Sequence, residues 1–136
     1  MGVSLVVKTN YYEVGSASFL NCFFSTVYFH LVQSQKENNY PKIFPEFFQG
    51  HLYCEDSQEV RGNILEIREK LKLYSPDKII WDIYDLSTPP PWGNNISSQT
   101  TSLSNYFVIA NGKDLFDVIL AALAKSEELK ADIYIR

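Results

Sequence analysis

The chain has 136 residues, of which 46% are apolar and 15% aromatic, so intrinsic disorder is excluded, and the length suits one domain and not two. Twelve Lys and Arg against sixteen Asp and Glu leave a net charge of -4, the wrong sign for a protein that holds nucleic acid by neutralising phosphates. No stretch approaches the roughly eighteen continuous apolar residues of a membrane span, and the start, Met1 to Lys8, lacks the basic region of a signal peptide. A cytoplasmic protein with no membrane contact is expected. Cys22 and Cys54, the only cysteines, sit in apolar stretches and read as reduced thiols.

Val3 to Lys8 is β-branched and apolar and predicts a first strand. After Val14-Gly15, Phe19, Leu20, Phe23, Phe24, Val27, Tyr28 and Leu31 recur with helical period, and Ser16 or Ser18 would cap that helix. Polar residues from Gln33 to Asn39 end it. Pro41 and Pro45 then bracket a short aromatic segment closed by Gly50, and His51 to Cys54 reads as a short strand. Glu55-Asp56-Ser57 open a second helix in which Val60, Ile64, Ile67 and Leu71 form the inner stripe. Lys78 to Tyr84 alternates as a strand with both faces covered, which predicts a central position.

An irregular stretch follows, through Pro89-Pro90-Pro91-Trp92-Gly93-Asn94-Asn95, and from Leu86 to Gly112 it carries no charged residue. Tyr106 to Ile109 reads as a strand before an Asn111-Gly112 turn. Asp114 caps a third helix with Leu115, Phe116, Ile119, Leu120 and Leu123 inward, and Asp132 to Ile135 closes the chain as a strand. Together these elements predict a single α+β domain over residues 1–136. Its sheet is expected to be mixed and four- or five-stranded, with three main helices packed on it as a two-layer α/β sandwich.

Catalytic motifs are missing: there is no Gly-rich phosphate loop, nucleophile elbow, Cys-x-x-Cys pair or His-Glu-x-x-His. Cys22, His30, His51 and Cys54 match a zinc set in number but lack its tight spacing, so no metal and no other cofactor is expected. Asp82 with Asp85 could do acid-base chemistry, although such pairs more often close turns. The long uncharged loop is the more informative feature. Its prolines reduce the entropy lost on ordering, Trp92 offers a large contact area, and Asn94 and Asn95 can hydrogen-bond without the desolvation cost of a charge. Trp92 would act there either as an anchor for a partner or as a lid on the core.

The run Tyr74-Ser75-Pro76-Asp77-Lys78-Ile79-Ile80-Trp81-Asp82-Ile83, with Asp85-Leu86-Ser87, Pro90-Pro91-Trp92-Gly93 and Asn95-Ile96-Ser97, resembles the bacterial immunity proteins of immunity protein family 70 in polymorphic-toxin systems. Tyr12-Glu13-Val14-Gly15-Ser16 near the start, and Leu103-Ser104-Asn105-Tyr106-Phe107-Val108 leading to Gly112-Lys113-Asp114-Leu115-Phe116 near the end, extend the resemblance over nearly the whole chain. It implies an α+β protein that binds and neutralises a toxin domain encoded by the adjacent gene, a nuclease in keeping with the acidic balance, and it supplies no catalytic residues. The candidate toxin-binding residues are Trp92, Asn94, Asn95, Asp82 and Asp85 around the loop and Glu55, Asp56 and Glu59 at the start of the second helix. The alternative is a small enzyme or ligand-binding domain with its pocket under the Trp92 loop.

Overall fold

Two strands joined by the shortest of turns open the structure, a computed structural model that describes residues 2–33, 35–93, 96–109 and 111–136. Strand β1 (Gly2–Val7) turns through Lys8 and Thr9 into β2 (Asn10–Ser16), with Lys8 at φ 55° and the Asn10 side chain donating to the Val7 carbonyl at 3.2 Å. The register steps from Ser4 opposite Glu13 to Val3 opposite Gly15, which makes Val14 the extra residue of a bulge, with Gly15 in a left-handed conformation at φ 91°. A side chain on Gly15 would press on the Phe19 ring, since a Cβ there would lie 3.2 Å from it. The chain can therefore turn directly into helix α1 (Ala17–Val27), whose first turn is capped by Ser16 Oγ accepting from the Phe19 N–H at 3.0 Å. A wider helical turn, Tyr28–Gln33, continues α1.

Strand β3 (His51–Leu52) and strand β4 (Ile133–Ile135) complete a four-stranded sheet of order β2-β1-β4-β3, antiparallel at every pairing. Leu5, Val7, Val14, Leu52 and Ile133 are fully buried toward the helical layer. The alternate residues Tyr11, Val6, Tyr134 and His51 align across the opposite face. Helices α2 (Ser57–Leu71) and α3 (Leu115–Leu129) run in opposite directions: Ser57 meets Ser126 at one end, and Arg68 meets Asp114 and Asp117 at the other. Val60, Ile64, Ile67 and Leu71 of α2 and Leu115, Phe116, Ile119 and Leu123 of α3 are buried as their spacing predicts. At the centre the Phe23 ring meets Phe107 and Phe116 edge-on, each at 5.2 Å.

Two expected strands do not form. Lys78 to Tyr84 is no strand: it starts in a short helical turn, Pro76–Lys78, and its next backbone groups are claimed by side chains of α1. The Ile80 N–H donates to Thr26 Oγ1 at 3.0 Å, Thr26 Oγ1 donates to the Ile80 carbonyl at 3.1 Å, and the Ile83 N–H donates to Ser25 Oγ at 3.0 Å. A backbone satisfied by helix hydroxyls has no ladder to offer, although Ile79 and Trp81 still face the core and produce the strand-like alternation. Without that central strand the mixed pairing does not arise. Among the described residues Tyr106 to Ile109 contributes a single bridge, Val108 to Asp114, and the chain turns back at once, with Ile109 N–H bonded to the Lys113 carbonyl at 2.9 Å. The fourth strand is instead β2, which the sequence reading did not assign.

Candidate functional site

The stretch from Ile83 to Leu103, which holds most of the uncharged segment, is tied down at both ends. Ser25 and Thr26 hold the chain at Ile80 and Ile83, and the Leu103 N–H donates to the Tyr74 carbonyl at 2.9 Å beside a capping box in which Ser102 and Asn105 satisfy each other's turn. Between these anchors Trp92 folds back. Its indole meets Trp81 edge-on at 5.4 Å, and its Nε1–H donates to Tyr106 Oη at 2.6 Å. Partial burial pushes the Tyr106 hydroxyl pKa upward, an effect opposed by that hydrogen bond. Trp92 is half-buried and reaches the core only through Trp81 and Tyr106, which pack against it, so part of its ring faces solvent while the rest fixes the loop.

Asp82 and Asp85 close turns. Asp82 Oδ1 accepts from the Tyr84 N–H at 3.0 Å, and Asp85 accepts from the Ser87 N–H at 3.2 Å and from the hydroxyls of Ser87 and Thr88 at 2.6 Å each. Those donors, the Ser87 hydroxyl first, hold the Asp85 carboxyl below the ordinary carboxylate range, which opposes a role as proton acceptor near neutral pH. Both turns leave their neighbours outward, with Tyr84 81% and Leu86 57% exposed. Two open grooves flank the loop. One of about 590 Å³ runs past Trp81, Leu86 and Pro90, one of about 560 Å³ runs past Phe19, Trp92 and Val108, and Ile96 and Tyr106 line both. Asn94 and Asn95 lie outside the described residues.

The acidic candidates are elsewhere. Glu55 and Glu59 are exposed at the start of α2, and Asp56 sits 3.8 Å from Lys42 Nζ. Trp92 is joined through Tyr106 and Phe107 to the first residue of α3, where the Leu115 N–H meets the Phe107 carbonyl. Because α3 runs opposite to α2, the loop and the acidic cluster stand at opposite ends of α2, about 22 Å apart by helix rise. The fold does not bring them into one patch.

The two cysteines and two histidines also separate. Cys22 is fully buried in α1, its thiol pushed up to about 12 by desolvation, and His30 Nε2 donates to the Lys78 carbonyl at 2.7 Å. His51 and Cys54 converge only on Asp132, whose carboxylate takes His51 Nε2 at 2.9 Å and the Cys54 N–H at 2.8 Å. Among the described residues no three His, Cys, Asp or Glu side chains come together to hold a metal ion. Trp81 and Tyr106, the partners of Trp92, were absent from the sequence-derived site. Their nearest signal was the aromatic character of two segments read as strands.

A model of the family described as Immunity protein 70 matches residues 5–135. The chain belongs to the Immunity protein 70 family. Membership implies immunity against a toxin, and so a cognate toxin as binding partner of this Immunity protein 70 domain. No match to a curated protein or to a solved structure was found. No helix among the described residues is long and apolar enough to cross a membrane.

Proposed function

We propose that the protein neutralises its toxin by forming a stoichiometric complex through the uncharged loop surface. In this reading the toxin is a nuclease domain encoded by the adjacent gene, delivered by a contact-dependent or secreted polymorphic-toxin system, and bound in the cytoplasm of the producing cell. The observation that supports the docking face is the exposure of Tyr84, Leu86, Ile96 and Val108 on and beside a segment with no charge from Leu86 to Gly112. Such a surface loses little hydration energy on docking, and its aromatic and aliphatic side chains are the kind that dominate interface energetics. Trp92, Asn94 and Asn95 supply contacts from the loop, while Asp82 and Asp85 set the turns that present Tyr84 and Leu86. Glu55, Asp56 and Glu59, at the far end of α2, act at long range by attracting a basic toxin.

Mixing the purified protein with the toxin domain from the neighbouring gene, inactivated in its catalytic residues, should give a 1:1 complex by size exclusion. Co-expression with the active toxin should restore growth. The absence of a complex would overturn the assignment of this toxin as partner. A complex whose affinity is unchanged by Leu86→Ser and Ile96→Ser together would overturn the docking face.

A further inference from the structure

We propose that the outer edge of β2 is a strand-addition site, at which an extended segment of the toxin becomes a fifth strand; the identity of the partner rests on the toxin-binding reading above. A two-residue turn makes Val7 and Asn10 a hydrogen-bonded pair, so the ladder alternates: Leu5 with Tyr12 is the next bonded pair, and Val6 with Tyr11 and Ser4 with Glu13 are not. The neighbouring pairing agrees, because Ser4 turns its groups toward β4, exchanging N–H and carbonyl bonds with Arg136 at 2.6 and 2.9 Å. Tyr11 and Glu13 must then direct both their N–H and their C=O groups away from the sheet. Among the described residues those four groups have no backbone partner.

An exposed edge of this kind is a template for another strand, and proteins usually blunt it. Here the edge opens into a groove of about 740 Å³ between Tyr12 on one side and Ile109, Lys113, Val118 and Ala121 on the other. An added strand would place alternate side chains on the two faces of the sheet. Those on the helical face enter the groove beside Tyr12, Val118 and Ala121 and are therefore apolar. Those on the open face lie beside Tyr11, which is 71% exposed, and Glu13, which has no ion-pair partner among the described residues. Asp114 and Asp117, on the groove wall, are already paired with Arg68. The fitting segment thus alternates apolar residues with a basic one opposite Glu13. The groove is also continuous with the loop surface, since Gly112 and Asp114 line both it and the groove beside Trp92. A partner seated on the loop therefore reaches this edge.

Residue-resolved amide exchange tests the proposal, with the free protein compared to its complex with the inactivated toxin domain. In the free protein the Tyr11 and Glu13 amides should exchange quickly and those of Asn10 and Tyr12 slowly. In the complex the first pair should slow by about tenfold or more. A complex that leaves Tyr11 and Glu13 unchanged would overturn the edge site while the toxin-binding reading stands; failure to form any complex would overturn both. Protection that appears with rising concentration in toxin-free protein would give the edge to a second copy and refute the toxin strand. Glu13→Pro removes an outward N–H that the hairpin does not use, so it should weaken the complex about tenfold while Asn10 and Tyr12 stay protected. Should that variant not fold, Glu13→Arg should weaken binding at low salt, and unchanged affinity would count against the proposal.

Discussion

Replacing Ser126 by Ala should cost more than replacing Ser57, although the two fully buried hydroxyls share one hydrogen bond of 2.7 Å. The asymmetry follows from proton counting. Ser126 Oγ also donates to the Ala131 carbonyl at 2.6 Å, which uses its only hydrogen, so Ser57 must be the donor between them. Ser57→Ala then removes one bond and strands no donor, at about 1 kcal/mol. Ser126→Ala removes two bonds and leaves the Ser57 hydroxyl buried without an acceptor, at about 3 kcal/mol. The double variant loses the same two bonds but no longer buries an unpaired hydroxyl, so it should cost about 2 kcal/mol, less than Ser126→Ala alone. Urea denaturation of the four proteins, compared at equal slope, measures this cycle. Equal costs for the two single variants, or a double variant that loses the sum of the singles, would refute the donor assignment.

Trp92→Ala should lower stability by about 2 kcal/mol, less than the 3 to 5 expected of a fully buried Trp, and should weaken toxin binding by more than Trp92→Phe does, as read by paired denaturation and titration. Lys130 ends α3 in a left-handed conformation at φ 51°, so Lys130→Gly should stabilise by about 1 kcal/mol in the same denaturation assay. Asp132 is held below the ordinary carboxylate range, first by His51. Its contribution is therefore complete above the unfolded carboxylate value and drains away as pH falls from there through the lower folded value, and Asp132→Asn should flatten that acid limb in a pH series of melts. Raising salt to about 0.5 M should slow association with the toxin more than it speeds dissociation, and a salt-independent association rate in stopped-flow mixing would contradict electrostatic steering.

The helices were legible because their inner stripes are dictated by burial: Val60, Ile64, Ile67 and Leu71 can face one way only in a helix. The sheet was legible only where apolar runs coincide with pairing, as in β1 and β4. Lys78 to Tyr84 shows why alternation misleads, since it records which side chains meet the core and says nothing of where the backbone bonds go. The clue lay elsewhere, in Ser25 and Thr26, two hydroxyls inside the apolar run of α1 that would need buried partners. β2 escaped because Asn10, Glu13 and Gly15 break its apolar character, and its alternation is carried by tyrosines of which one, Tyr11, is exposed. At the site, the length and neutrality of the loop were legible as sequence features. Its fixation by Trp81 and Tyr106 depends on contacts between residues distant in sequence, which spacing does not encode.

The hydroxyl rungs of α1 bear on how such a protein could change partners. A loop hung from a sheet strand passes every insertion on to the register of its neighbours, whereas this one hangs from Ser25 and Thr26 at one end and from the Tyr74 carbonyl at the other. Residues between those pegs can be exchanged, lengthened or shortened without a shift in the ladder. Closure entropy penalises extra length only weakly, about 0.6 kcal/mol for each doubling. A new loop surface can thus arise by editing one segment while α1, α2, α3 and the sheet keep the sequence that folds them.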